Sequence, residues 1–226
     1  MLTMTNNFHV FAAILSKDIL LDFRGRDIIF SVPIFGILLI LLFNFSLDVT
    51  PDMVDDLAPG ILWVSFAFSG VLTMNRSFVR EKEQGGLEGL LISPISRDII
   101  FFGKAASNFL FMILVEFVLL LTLAVMLGFL AFSWILVLTI VLTTIGFATL
   151  GTLFSAIAVE TRSREVMLPV LFFPLIIPIL IGAVEVTSQV IGGTSGAISR
   201  WLPLIGIFDA LFLIICPWLF SAIIQE

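Results

Sequence analysis

The sequence predicts an all-α membrane protein with six transmembrane helices. Apolar residues make up 60% of the 226-residue chain and charged residues 12%, against roughly 45–50% and 25% in soluble domains. The apolar residues gather into six runs, each long enough for the ~20-residue helix that a bilayer core requires. The polar intervals between the runs are short, which leaves no room for a soluble domain beside them. With a mean hydropathy of +1.20, the composition cannot supply a water-facing skin, and the same figures exclude a disordered chain, a fibrous repeat and a disulfide scaffold.

The first 25 residues are not a signal peptide, because His9, Lys17, Asp18, Asp22, Arg24 and Arg26 interrupt them. Phe8, Phe11, Ala12, Leu15, Ile19 and Phe23 recur at helical spacing, with Asn6, His9, Ser16 and Lys17 largely elsewhere. This predicts an amphipathic helix over 6–25 lying in the membrane surface, the alternative being a frayed N-terminus. The spans are expected at about 28–47, 59–79, 107–127, 134–158, 166–186 and 204–224. In the fourth, Thr144, Ala148, Thr152 and Ala156 recur every four residues beside Gly151 and Ser155, a small-residue stripe that lets another helix approach closely, within the chain or from another subunit. The fifth contains Pro169, Pro174 and Pro178, which remove backbone donors and predict a kinked helix. Such a kink suits either a moving interface or static packing. Residues 187–200 are expected to form a short outer helix and a turn.

Lys and Arg set the orientation. With the N-terminus in the cytoplasm, the inside segments hold Lys17, Arg24, Arg26, Arg76, Arg80, Lys82, Arg97, Lys104, Arg162 and Arg164, ten of the eleven basic residues; only Arg200 lies outside. The first outside loop is acidic, with Asp48, Asp52, Asp55 and Asp56. Both termini are then cytoplasmic. Trp63, Trp134 and Trp201 fall at the outer ends of spans two, four and six and Trp218 near the inner end of span six, where amphipathic rings favour the interface.

The chemistry is sparse. The chain has no G-x-x-x-x-G-K-[ST] loop for ATP and no C-x-x-C-H for covalent haem. One histidine, His9, and one cysteine, Cys216, cannot assemble a zinc site. No nucleophile stands with a base, so no catalytic residue and no bound cofactor or metal is expected, and no nucleic-acid partner. Intramembrane acids are functional candidates by default. Glu116 lies midway along span three, Asp209 one turn or so into span six, and Glu185 at the outer end of span five. Each is either a neutral acid hydrogen-bonded to a neighbouring helix, an acid facing a water-filled gap or, for Glu116 above all, the proton site of a coupled carrier.

The loop over 80–98 is the longest cytoplasmic segment. Gly85-Gly86 breaks the helix that leaves span two. Leu87, Leu90 and Leu91 share one face of about two turns, with Glu88 on another, and Pro94 ends that short helix. Ser96 caps the next helix, with Asp98 in its first turn. The apolar face of the short helix suits a groove on a partner protein or the lipid headgroups.

Glu81 through Pro94, with Gly103-Lys104 following, resembles the first cytoplasmic loop of ABC-2-type exporter permeases. A broader match, carried also by Gly60-Ile61-Leu62-Trp63-Val64 and by the stretch from Glu160 through Pro178, is to the haem exporter B (CcmB-type) membrane subunits of cytochrome c maturation. The chain departs from that pattern at Gln84-Gly85-Gly86, where related loops often have Asp and a single Gly, and in carrying Glu160 and Glu165 beside Arg162 and Arg164. The resemblance implies an ABC-2-type permease fold in the inner or plasma membrane. It implies a coupling helix docked on a separate cytoplasmic ATPase subunit, which alone binds ATP, with either haem as the cargo or release of a haem chaperone as the coupled step, and with other cytochrome c maturation membrane proteins and a haem chaperone as partners. Leu87, Glu88, Leu90, Leu91 and Pro94 would then transmit movement to spans two and three, and Arg80, Glu81 and Glu83 would make charge contacts with the ATPase. The loop motif alone fits exporters of lipid, drug or polysaccharide equally.

Overall fold

A bilayer core offers no water to backbone groups, so a spanning segment must satisfy its own hydrogen bonds as a helix. The computed structural model describes residues 2–24, 26–47, 50, 53–83, 96–127, 133–159, 164–193 and 198–223, with the backbone alone for 2–8, 22–24, 26–28, 75–83, 159, 164–168 and 199. Among these residues there are seven α-helices and no strand: α1 Leu2–Arg24, α2 Arg26–Ser46, α3 Val54–Glu83, α4 Arg97–Leu127, α5 Trp134–Val159, α6 Arg164–Ile191 and α7 Ile198–Ile223. Helices α2 to α7 are each long and apolar enough to cross a membrane. The protein is a multi-pass membrane protein.

Helix α5 is the centre of the bundle and packs against α3, α4, α6 and α7. The stripe of Thr144, Ala148, Thr152 and Ala156 is buried within the chain, so it serves intrachain packing. A threonine-rich helix is stable here because its hydroxyls bond their own backbone. Thr139, Thr144, Thr149 and Thr152 each donate to the carbonyl four residues back, at 2.7 or 2.8 Å.

A run of aromatic rings ties α3, α5 and α6 together. Trp63 meets Phe66 edge-on at 5.6 Å between centroids, Phe66 meets Phe147 at 5.1 Å, and Phe147 meets Phe172 at 4.6 Å. Gly70 admits the Phe147 ring and the Met112 methyl into the space a Cβ would fill. Trp63 differs from the interfacial placement its sequence position predicts. It is 1% exposed, and its indole N–H donates to Thr187 Oγ1 at 2.9 Å. Partners on α6 cover the ring and satisfy its one polar group, so it has no reason to seek the headgroups. Trp134 and Trp218 are exposed.

The periphery is apolar. On α2, Val32 and Ile40 face inward, whereas Phe30, Leu38, Leu42 and Phe45 are more than half exposed. Such a face is stable in hydrocarbon and would aggregate in water. Helix α6 is one continuous helix through Pro169, Pro174 and Pro178. It also continues through 187–191, so the expected outer helix is the end of α6. Gly192 and Gly193 then turn the chain, Gly193 at a left-handed φ of 67° that favours glycine. Gln189 Oε1 accepts the Ile198 amide at 3.1 Å and caps the start of α7.

Candidate functional site

Two regions carry the residues singled out by the sequence: the end of the bundle where α3 stops and α4 starts, and the polar interior beside α5.

At 30 and 31 residues, α3 and α4 are each about 45 Å long, more than the ~30 Å hydrocarbon core. Their ends bracket residues 84–95. Arg80, Glu81 and Glu83 fall on the last turn of α3. Leu87, Glu88, Leu90, Leu91 and Pro94 lie outside the described residues. On the far side of this segment, the Ser96 carbonyl accepts the Ile99 and Ile100 amides, at 3.1 and 3.4 Å, and Asp98 lies in the first turn of α4, where it complements the helix dipole.

The first two turns of α4 are held on two sides. Arg97 Nη1 donates to the Ser221 carbonyl at 3.1 Å and so caps the last turn of α7, and Phe101 packs on Phe220 with ring centroids 5.3 Å apart. On the other side Ile14 of α1 packs over Gly103, where a Cβ would overlap it, and Asp18 forms ion pairs with buried Lys104 at 3.7 Å and with Lys17 at 3.1 Å. Helix α1 thus docks on α4 through Ile14 and Asp18. Neither clamp is visible in the sequence, since the partners are 124 and 86 residues apart; a lysine in the interior of an apolar run was the only signal. Replacing Arg97 by Ala removes a charge-assisted bond of about 1 kcal/mol after solvent exchange. Amide exchange in the last turn of α7 should rise about fivefold by mass spectrometry, with α5 unchanged; equal exchange would refute the clamp.

The interior between α4 and α5 contains two rungs of the same construction. In one, Asn108 Nδ2 donates to Thr152 Oγ1 at 2.8 Å, and Thr152 donates to the Ala148 carbonyl at 2.7 Å. In the other, Glu116 Oε2 lies 3.1 Å from Thr144 Oγ1, which lies 2.7 Å from the Ile140 carbonyl. A hydroxyl has one proton to give, so Thr144 serves either the carboxyl or the carbonyl at any moment. Glu116 is completely buried and its Oε1 has no partner among the described residues.

Asp209 is on the opposite side of α5. Its Oδ1 lies against Gly146, where a side chain would collide with it. The carboxyl is 4% exposed and makes no side-chain hydrogen bond among the described residues. Because α7 begins at Ile198, Asp209 stands midway along its helix, deeper than hydropathy alone suggests. The two acids therefore flank α5 at nearly the same level, at Thr144 and Gly146. Glu185, in contrast, is exposed. No group of three or more His, Cys, Asp and Glu that could hold a metal is found among the described residues.

Comparison with known proteins adds a family. The model of the CcmB protein family matches residues 9–226. The chain is 30% identical over 179 residues to heme exporter protein B of Haemophilus influenzae, covering 78% of this chain and 80% of that protein. It is 27% identical over 218 residues to heme exporter protein B of Pseudomonas aeruginosa, covering 95% and 96%.

Proposed function

The chain belongs to the CcmB family, and from that premise we propose that it is the permease subunit of an ABC transporter for haem export in cytochrome c maturation. A separate ATPase subunit hydrolyses ATP, and this chain couples that hydrolysis to haem delivery or to release of a haem chaperone. The observation that carries the reading is the family match over residues 9–226. The chain itself is non-catalytic. It sits in the inner membrane with both termini in the cytoplasm, an orientation supported by ten of eleven basic residues on that side. Helix α1 lies along the cytoplasmic surface, and the segment between α3 and α4 is the coupling loop.

Deleting this chain from its host should abolish holo-cytochromes of the c type, seen as loss of covalently bound haem on denaturing gels, while b-type cytochromes persist. Expression of the chain in trans should restore them. Full retention of c-type cytochromes in the deletion strain would overturn the assignment and favour another cargo.

A further inference from the structure

A lateral cleft of about 330 Å³ lies between α3 and α6. Val64, Ala67 and Phe68 form one wall, and the other runs along α6 from Phe173 to Glu185. The Phe68 and Phe173 rings, 5.6 Å apart, stand together at one end. Glu185 stands at the other and is the only charged group on the lining among the described residues. The indole N–H of Trp63 is already used by Thr187. Val64, Phe68, Ile177 and Ile181 are 38–48% exposed, so the cleft opens sideways to whatever surrounds the bundle.

We infer that this cleft binds one acyl chain of an amine-headed phospholipid, with the ammonium group at Glu185. Length selects the occupant. Phe173 and Glu185 are twelve residues apart, which is about 18 Å along a helix, close to one leaflet's share of a ~30 Å hydrocarbon core. The described lining runs from the Phe68–Phe173 pair to Glu185, the length of an acyl chain in one leaflet. Charge selects the headgroup. A carboxylate as the charged group of the described lining attracts an ammonium and repels anionic headgroups, and it repels the carboxylates of a macrocycle such as haem in the same way.

Native mass spectrometry of the purified membrane complex, offered phosphatidylethanolamine or phosphatidylglycerol in detergent, tests this. The complex should retain one phosphatidylethanolamine about fivefold more strongly than phosphatidylglycerol. Glu185→Gln should remove the preference and keep the chain-binding, and Ile181→Trp should fill the cleft and lose both. Glu185 is exposed, so Glu185→Gln keeps the test decisive if Ile181→Trp disturbs folding. Equal retention of the two lipids, or retention unchanged in Ile181→Trp, would overturn the site. Crosslinking of Ile181→Cys to a partner protein in the assembled complex, in place of lipid, would overturn it too.

Discussion

Under the proposed function, replacing Leu90 and Leu91 together by Asp should abolish co-purification of the chain with the cytoplasmic ATPase subunit that the proposal requires. Burying a leucine side chain contributes about 1.5–3 kcal/mol. Two such anchors at the centre of an interface carry about 3–6 kcal/mol, or at least a 100-fold change in affinity. Asp in their place adds desolvation of two charges. The core among the described residues is formed by α1 to α7, and membrane abundance of the double variant by immunoblot separates loss of docking from loss of folding. Under this reading, force applied to the loop reaches both of its arms. Helix α3 runs unbroken to Glu83 and α4 begins at Arg97. From α4 it passes to α7 through Arg97 and Ser221 and to α1 through Lys104 and Asp18. The measurements are pull-down of the ATPase and its hydrolysis rate in the reconstituted complex. Unchanged values for both in the double variant would sink the docking role of this loop.

The helices themselves were legible because length and hydropathy report transfer into hydrocarbon, which decides whether a segment spans. The stripe of Thr144, Ala148, Thr152 and Ala156 was legible for a related reason: small residues at one spacing are useful only where another helix comes close. Hydropathy does not report which neighbour covers a given face. Trp63 has the address of an interfacial ring, and α6 buries it through Thr187, 124 residues away. Asp209 looked shallow because Pro203 and Arg200 mark a polar boundary in the sequence, yet the helix already begins at Ile198. The Lys104–Asp18 contact joins an apolar span to a helix outside the spans, and neither residue has a local pattern that names the other. Long-range polar pairs of this kind are fixed by packing, so they become visible only once the helices are placed.

Glu116 offers the sharpest separation between a structural and a proton-carrying acid. Asn108 on α4 donates to Thr152 on α5, and Thr152 donates to its own helix. Eight residues away on each helix, Glu116 and Thr144 repeat the arrangement. There Thr144 Oγ1 has the Glu116 carboxyl and the Ile140 carbonyl as competing acceptors, and a donor on α4 would leave its proton to the carbonyl, as Asn108 leaves that of Thr152 to Ala148. A glutamine fits that role, because its Nε2 donates as the Asn108 amide does. Glu116→Gln should therefore accumulate in the membrane at normal levels and support normal c-type cytochrome assembly. Glu116→Lys should not accumulate. It places an ammonium at a position with no solvent exposure, facing a hydroxyl and a carbonyl and surrounded by Met112, Val115 and Leu119 of its own helix. A charge at such depth costs about 3 kcal/mol on insertion scales and more where the helix cannot shift to let it reach water. Membrane abundance by immunoblot and covalent haem in cytochromes by gel staining read the two effects separately. Normal abundance with cytochrome assembly lost in Glu116→Gln would reverse the conclusion and make the Glu116 proton part of the transport step.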